Sequence, residues 1–338
     1  MKRSGARSVA RRLMCWIVFL SLQGCHGRDR AASGTPAGAA ATEPFTVSVG
    51  YQRSSWGFLY LKHQGSLETR LAPLGARIKW LEFTAGPPIL EGISVGSVDL
   101  ALVGDAPPVF AQAGHLRFAY AAVEPAKPQA AAIIVRADSP IQTIAELNGK
   151  KVAFQKGSSA HHLLIESLRA AGLAWTDIQP VYLAPPDARA AFERGAVDAW
   201  AIWDPQYAAA EMQLQARPLK SSPNRFAYRQ FLVVRPEFPA LHRAAYEQLV
   251  AAVSEAEAEI QRQPAGVAAA LATDAHIDAG ILARALARGR FGVQPMNDEI
   301  WREQQELADL FADLHLIAKV PDVRAAALEA FSAEAARH

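Results

Sequence analysis

Two segments of this sequence carry the same series of hydrogen-bonding residues directly after a strand-like run. Residues 51–55 read Tyr-Gln-Arg-Ser-Ser, and residues 154–159 read Phe-Gln-Lys-Gly-Ser-Ser. Each series runs from an aromatic residue at a strand end, through a glutamine and a basic residue, to a hydroxyl-rich turn that leads into a helix. Amides, hydroxyls and the free backbone N–H groups of a helix start are suitable donors to a small oxyanion. The pattern therefore predicts an anion site that both segments help to form.

Within these segments, each residue type suggests a role. Gln52 and Gln155 can donate through their side-chain amides. Gly157 permits a positive φ or a close approach of the backbone to a ligand. Ser158 or Ser159 can donate to the oxyanion, and plain helix capping is the alternative role for both serines.

Basic and aromatic residues beside the turns extend the candidate pocket. Arg53 and Lys156 follow strand ends and could contact the ligand, with simple solvation as the alternative. Trp56 opens the first helix, where a buried core residue is not expected, and Trp203 ends a strand. Both indoles could line an apolar pocket for a short carbon chain. Trp200 lies within a strand and is expected in the core.

Two further strand-to-helix turns, residues 83–88 and 104–108, could face the same pocket. Asp105 and Asp204 are better explained as caps or orienting groups, because a carboxylate repels an anion unless the ligand also carries an amine. His161 could reach the anion from the start of its helix, with a surface histidine as the alternative. The predicted ligand-binding residues are Gln52, Arg53, Ser55, Trp56, Thr84, Gly86, Gly104, Asp105, Gln155, Gly157, Ser158, Ser159, His161, Trp203 and Asp204.

Strand-like and helix-like runs alternate from residue 45 onward. This alternation is typical of an α/β fold with mostly parallel strands. From about residue 238 the chain is predicted to be nearly all helical. The predicted strands are residues 45–51, 78–83, 98–103, 130–135, 151–154, 180–183, 199–202 and 231–234. The predicted C-terminal helices are residues 241–263, 265–273, 279–288 and 298–314.

A second pair of matching segments lies downstream of the first. Residues 96–99 (Gly-Ser-Val-Asp) and 105–107 recur, in the same order and about 100 residues later, as residues 195–198 (Gly-Ala-Val-Asp) and 204–205. The repeat predicts two similar lobes, although any α/β protein repeats helix–Gly–strand units. Because ligands bind outside the carboxyl ends of strands in open α/β sheets, two such lobes would enclose a cleft. Residues 187–195, between a good N-cap and a terminating glycine, are interpreted as scaffold.

The composition excludes several classes of protein. The chain has 338 residues, of which 51% are hydrophobic and 20% charged, so it is globular and long enough for one large domain or two smaller ones. Two cysteines exclude a disulfide framework. Without the five basic residues before residue 13, about 30 Lys and Arg face 33 Asp and Glu, and this near-neutral balance argues against nucleic acid as a partner. The Gly-x-Ser-x-Gly string at residues 92–96 stands between a helix and a strand, the wrong order for a nucleophile elbow.

The N-terminal residues resemble an export signal. Basic residues precede an apolar run at residues 13–22, which is too short for a permanent membrane span. The sequence Leu-Gln-Gly-Cys that ends at Cys25 is similar to a bacterial lipobox, with Cys25 as the lipidated residue. Ordinary cleavage near residues 39–41 is the alternative. Residues 1–25 are therefore predicted to be the signal peptide, and residues 26–44 a flexible tether.

The motifs described above, together with neighbouring ones, resemble the aliphatic sulfonate-binding proteins of bacterial ABC importers. The segments that carry the resemblance are residues 51–53, 83–87, 95–99, 104–108, 123–128, 154–161, 187–192 and, most closely, 197–205. It implies a two-lobed, type II periplasmic-binding-protein fold with the ligand cleft between the lobes. It also implies that the protein delivers alkanesulfonates to an inner-membrane permease for sulfur acquisition. Lobe 1 would comprise residues 45–129 and 229–338, lobe 2 residues 130–228, and the hinge the crossings near 124–134 and 226–234.

Two features differ from the family pattern, and the sequence also allows ligands other than alkanesulfonates. Trp56 differs from the residues typical of the family's first loop, and the lipobox differs from its soluble members. A receptor for taurine, nitrate or another small anion is the first alternative, and an amine-bearing ligand would favour Asp105 or Asp204 as a partner. A further alternative is a protein of the type that binds the thiamine pyrimidine precursor, including a synthase. The predicted export signal argues against a synthase, because such an enzyme acts in the cytosol. The expected protein is a monomeric receptor without enzymatic activity or cofactor, either periplasmic or lipid-anchored on the extracytoplasmic side.

Overall fold

The computed structural model describes residues 44–222 and 224–328, and their ten β-strands form two five-stranded sheets. The strands are β1 Phe45–Tyr51, β2 Ala76–Glu82, β3 Leu100–Gly104, β4 Ala119–Val123, β5 Ala131–Val135, β6 Lys151–Phe154, β7 Gln179–Tyr182, β8 Ala199–Trp203, β9 Arg217–Pro218 and β10 Gln230–Val234. The α-helices are α1 Trp56–Gln64, α2 Ser66–Leu71, α3 Gly86–Ser94, α4 Ala106–Ala113, α5 Ser159–Ala170, α6 Pro185–Glu193, α7 Gln206–Leu214, α8 Phe238–Leu241, α9 Arg243–Arg262, α10 Pro264–Ala275, α11 Ala279–Arg288 and α12 Asp298–Asp313.

The central strands form where the sequence has short, continuous apolar runs. Every residue of β3 and of β8 is buried, as expected for strands covered by helices on both faces. The edge strands β2 and β7 are partly exposed. The two most buried strands end at Gly104 and Trp203, so these residues lie at the carboxyl edges of their sheets.

The two sheets share one topology. The first has the strand order β2-β1-β3-β10-β4 and the second the order β7-β6-β8-β5-β9. In each sheet, three parallel strands are followed by an antiparallel one, β10 beside β3 and β5 beside β8. The chain crosses between the sheets through residues 124–130 and 219–229. Because β10 is antiparallel, its first residue, Gln230, pairs with Gly104 at the carboxyl end of β3.

The internal repeat extends to individual hydrogen bonds. The Asp99 backbone N–H donates to the Ser48 carbonyl, and the Ser48 N–H donates to the Asp99 carboxylate, both at 2.8 Å. Asp198 and Lys151 make the same two bonds at the same distances. A glycine with positive φ, 75° in one case and 69° in the other, precedes each aspartate by three residues. The predicted α/β fold is therefore confirmed, and the sequence repeat corresponds to two sheets of the same construction.

Sequence patterns miss two strands and one helix boundary. The Ala-Tyr-Ala-Ala-Val sequence of β4 lacks alternation, and β9 has only two residues. The helix predicted over residues 241–263 is interrupted at His242, whose backbone leaves the helical region at φ −134° and ψ 50°. The other three C-terminal helices lie within three residues of their predicted bounds.

The apolar core is divided among the layers. One cluster surrounds the second sheet, two occupy the opposite faces of the first sheet, and a fourth lies among α1, α7, α10 and α11. Among the residues that the structure describes, no helix has both the length and the apolar character needed to cross a membrane. The predicted signal peptide, Cys25 and residues 26–43 of the predicted tether lie outside the described residues.

Candidate functional site

Loops that follow strands of both sheets meet at a small cavity, here called the head cavity. Its volume is about 10 Å³, room for about one water molecule. The two sheets approach closely between Gly104 and Ser159, because a Cβ atom on Gly104 would lie 2.0 Å from the Ser159 hydroxyl. A side chain at this position would therefore force Ser159 to shift. The residues that line the head cavity are Gln52, Ser54, Gly86, Gly104, Pro107, Ser158, Ser159, Trp203, Tyr228 and Gln230.

Ser159 presents an unused hydroxyl to the head cavity. The side chain is buried, and its Oγ atom has no hydrogen-bond partner. Ser159 is also the first residue of α5, where backbone N–H groups lack intrahelical acceptors. The neighbouring Ser158 hydroxyl already donates to the Gln155 carbonyl at 2.8 Å. Ser159 is therefore the hydroxyl of this turn that remains available to a ligand.

The corresponding turn after β1 uses some of its donors in hydrogen bonds within the protein. The Gln52 side-chain Nε2 donates to the Leu102 carbonyl at 3.3 Å, and the Gln52 backbone N–H donates to the Ser55 hydroxyl at 3.1 Å. Because an amide nitrogen has two hydrogens, Gln52 keeps one for a ligand in the head cavity. Ser55 is fully buried and holds the turn in shape.

A larger cavity of about 450 Å³, here called the tail cavity, shares Gln52 and Trp203 with the head cavity. Its apolar lining residues are Phe83, Pro185, Pro186, Trp203, Pro205, Ala209, Ile277 and Ile281. Its polar lining residues are Gln52, Arg53, Glu82, Thr84, Arg189, Gln206, Gln213, His276 and Asp278. A compact polar compartment thus adjoins a larger, mainly apolar one.

The arginines of the tail cavity have partners on the protein. Arg53 pairs with Glu82 at 3.1 Å, with both side chains about half exposed. Arg189 pairs with Glu193 at 2.7 Å and donates to Gln213 at 2.9 Å. These pairs reduce the net charge that either arginine offers to a ligand.

The predicted site residues divide into three groups. Gln52, Gly86, Gly104, Ser158, Ser159 and Trp203 line the head cavity. Arg53 and Thr84 line the tail cavity, as do Gln52 and Trp203. Ser55, Trp56, Asp105, Gln155, Gly157, His161 and Asp204 line neither cavity.

Trp56 is a core residue, contrary to the expectation that a residue at the opening of α1 would be exposed. Its side chain is 5% exposed and belongs to the fourth apolar cluster, together with Ala208, Ile260 and Leu282. The expectation is wrong because α7 and the C-terminal helices cover the start of α1. Sequence around α1 gives no sign of that contact.

His161 is also in the core, in contrast to both interpretations of it from the sequence. Its ring is fully buried, and its Nδ1 accepts from the Gly157 backbone N–H at 3.4 Å. Burial, supported by the nearby positive charges of Lys156 and His162, lowers the pKa of His161 to about 3, so the ring is neutral. It packs against the rings of Phe110, Phe154, Trp175 and Phe311.

The two candidate aspartates line neither cavity. Asp105 caps α4 and pairs with His162 at 2.7 Å. Asp204 accepts from a backbone N–H of α7 at 2.9 Å and pairs with Arg288 of α11 at 3.2 Å. Burial raises the pKa of Asp204 to about 6, although Arg288 opposes that rise. Both aspartates therefore act as caps and ion-pair partners, the role that the sequence favoured for them.

Several lining residues lie outside the predicted set. Ser54, Pro107, Tyr228 and Gln230 line the head cavity. Gln230 begins an antiparallel strand. The sequence pattern points to residues that follow parallel strands, so it does not include Gln230. Pro185, Pro186 and Arg189 line the tail cavity from α6, although residues 187–195 were expected to be scaffold. The polar face of a helix has the same sequence pattern whether it faces bulk solvent or a cleft.

Comparison with known proteins places this chain among solute receptors. A family model described as "ABC transporter, phosphonate, periplasmic substrate-binding protein" matches residues 74–277. The putative aliphatic sulfonates-binding protein of Escherichia coli (strain K12) is 44% identical over 287 residues, which cover 85% of this chain and 89% of that protein.

Solved structures show the same relationship. The alkanesulfonate-binding protein SsuA from Xanthomonas axonopodis pv. citri, bound to MOPS, has a TM-score of 0.79 and 37% identity, and the match covers 85% of this chain and 99% of that one. The periplasmic aliphatic sulphonate-binding protein SsuA from Escherichia coli has a TM-score of 0.72 and 43% identity, over 83% of this chain and 91% of that one. The chain therefore belongs to the periplasmic substrate-binding proteins of ABC transporters, in the group of the aliphatic sulfonate-binding proteins.

Proposed function

We propose that this protein captures aliphatic sulfonates between its two sheets and delivers them to the permease of an ABC importer, as a source of sulfur. The observation that carries the proposal is the buried, unpartnered Ser159 hydroxyl in a cavity that both sheets line. A sulfonate has three acceptor oxygens, one negative charge and no proton to donate. Neutral hydroxyl and amide donors in a confined space suit such a group.

The tail cavity would hold the organic part of the ligand. Its apolar wall suits an alkyl chain, and its volume of about 450 Å³ is in the range of small-molecule sites. The Gln206 side-chain oxygen is buried without a partner beside this wall. It offers one acceptor to a donor group on a substituted chain. Proximity of the two cavities would allow one molecule to place its head in one and its chain in the other.

Ligand binding would require movement of the sheets. A cavity of about 10 Å³ is much smaller than a sulfonate group, so the sheets must separate before the head can enter. We propose residues 45–129 with 229–338 as one lobe, residues 130–228 as the other, and the two crossings as the hinge. Closure would follow binding because only the closed form lets donors of both lobes contact one anion.

The alternatives receive less support from the site. Taurine would need an acid near its amine, yet Asp105 and Asp204 are paired with His162 and Arg288 and line neither cavity. The two acids that line the tail cavity are also engaged, because Glu82 pairs with Arg53 and Asp278 caps α11. A hydrolytic or transfer reaction at Ser159 would need a base beside the hydroxyl, and that hydroxyl has no partner. We therefore propose a monomeric receptor without enzymatic activity that acts on the extracytoplasmic side. Its lipid anchor at Cys25 remains a prediction from the sequence.

Thermal unfolding of the purified protein with matched anions tests this proposal. Hexanesulfonate and hexylphosphonate share one chain and differ in the head group, while taurine, sulfate and nitrate test the alternatives. A ligand at about a thousand times its dissociation constant adds roughly 4 kcal/mol of stability. We expect hexanesulfonate to give the largest rise in melting temperature. A larger rise with hexylphosphonate, taurine or nitrate would change the ligand, and release of sulfite from a sulfonate would contradict a pure receptor.

A further inference from the structure

A network of buried polar and charged side chains lies where the two crossings between the sheets meet. Glu124 and Lys127 belong to the first crossing, and Gln230 follows the second. Each of the three is at most 2% exposed. The Glu124 backbone N–H donates to the Gln230 carbonyl at 2.8 Å, and the Lys127 N–H donates to the Tyr228 carbonyl at 3.0 Å. Charges buried this deeply require partners, and the crossings supply them.

The network combines one buried base with two buried acids. The Lys127 ammonium donates to the Glu124 carboxylate. A second acid, Glu257 of α9, is fully buried beside them, and its Oε2 accepts from the Gly292 backbone N–H at 2.9 Å. Burial, together with the negative charge of Glu124, raises the pKa of Glu257 well above its usual value. Both effects favour the neutral form of the Glu257 carboxyl, whose Oε1 is buried without a hydrogen-bond partner.

Lys127 also fixes the orientation of the Gln230 amide. Its Nζ donates to the Gln230 Oε1 at 3.0 Å. An ammonium group has only donors, so it selects the amide oxygen and turns the NH₂ group the other way. One N–H of that group donates to the Ser54 hydroxyl at 3.3 Å. Gln230 and Ser54 both line the head cavity, which leaves the second amide N–H and the Ser54 hydroxyl proton for a ligand.

We propose that Gln230 contacts the bound anion as a hydrogen-bond donor and that Lys127 is the positioning residue for its amide. The inference rests on the proposed function and names a residue that recognises the head group. Without Lys127 the Gln230 amide could rotate and turn its oxygen toward the anion. The partial negative charge of that oxygen would then repel the anion. The network thus presents an oriented, neutral amide donor to the head cavity.

The variant Gln230→Glu tests the contact at nearly constant shape. Its carboxylate still accepts from Lys127, so the fold should persist, but an oxygen replaces the donor that faces the anion. We expect affinity for methanesulfonate and hexanesulfonate, measured by calorimetry on the full chain, to fall by about 100-fold for both probes. Gln142→Glu is the control, because it adds the same charge at an exposed position and should leave affinity within about twofold.

A double-mutant cycle tests the positioning role. Lys127→Met with Glu124→Gln removes both partners of the buried ion pair together, so neither of the two is left without its counter-ion. We expect this pair of changes to weaken methanesulfonate binding by about tenfold when Gln230 is present, and by less than twofold in the Gln230→Met background. A merely structural role for Lys127 would give equal losses in both backgrounds and overturn the positioning claim.

The outcomes separate this inference from the proposed function. If the wild type binds sulfonates and a folded Gln230→Glu variant binds them equally well, the Gln230 contact is overturned and the proposed function stands. Wild-type protein that binds neither probe would overturn the proposed function and the contact together. Melting temperatures of all variants, measured without ligand, show that lost affinity does not come from unfolding.

Discussion

The turns after β1 and after β6 begin with the same residue types but end in different chemistry. In the first, Ser55 accepts from the Gln52 backbone, and Arg53 pairs with Glu82. In the second, Gly157 adopts a φ of 72°, and the Ser159 hydroxyl stays buried without a partner. One extra residue with positive φ thus changes which hydroxyl closes the turn and which is left for a ligand. Matching residue types locate the two turns, and the hydrogen-bond partners of each serine decide whether its hydroxyl stays free for a ligand.

The strongest way to break this comparison is to block the contact between the two halves. Gly104→Ala adds a Cβ atom that would lie 2.0 Å from the Ser159 hydroxyl, so the closed arrangement cannot form unchanged. We expect sulfonate affinity to fall by about 100-fold, measured by calorimetry. Gly266→Ala is the control, because its Cβ would have no neighbour closer than 3.5 Å. Equal affinity in Gly104→Ala and wild type would show that this close approach is not needed for binding.

The matched pair Ser159→Ala and Ser55→Ala sharpens the comparison. Ser159→Ala removes an unpartnered donor, so we expect about 20-fold weaker sulfonate binding and unchanged stability. Ser55→Ala leaves the buried Gln52 N–H without its acceptor, so we expect a loss of about 1 kcal/mol in the free energy of unfolding and less than threefold in affinity. Calorimetry and urea denaturation measure the two quantities. The reverse assignment of effects would mean that Ser55, and not Ser159, contacts the sulfonate.

The smallest effect on binding is expected at His161, behind the second turn. His161→Phe keeps an aromatic ring in the buried stack, so sulfonate affinity should change by less than twofold. The folded pKa of about 3 lies below the unfolded value, so the wild type loses stability as the pH falls below about 6.5, when the unfolded chain takes up the proton. Between pH 7 and pH 5 this loss is about 2 kcal/mol, and the variant should lack it. Urea denaturation at both pH values measures the difference; parallel losses would show that His161 does not cause it.

Much of the framework was predictable because it depends on local patterns. The strands with continuous apolar runs, such as β3 and β8, and the amphipathic C-terminal helices are visible in the residues themselves. β4 could not be predicted, because its alanine-rich sequence becomes a strand only through pairing with β10. The predicted lobe boundaries and hinge stay predictions.

Site residues that follow a parallel strand could be predicted from the sequence. Residues whose position depends on tertiary packing could not. Gly86, Gly104, Ser159 and Trp203 follow or end such strands and line the head cavity. Gln230 reaches the same place only because its strand arrives from the other sheet and runs in the opposite direction. The burial of Trp56 depends on α7 and on the C-terminal helices, which come much later in the chain and which no local pattern reveals.

The burial of the residues around the head cavity has a consequence for selectivity among oxyanions. Because buried side chains from both sheets line this cavity, an anion held among them must shed most of the water around its head. The cost of dehydration grows steeply with charge, so sulfate, with two charges, loses far more than a sulfonate with similar oxygens. Confinement alone would therefore favour the anions with the lowest free energy cost of dehydration.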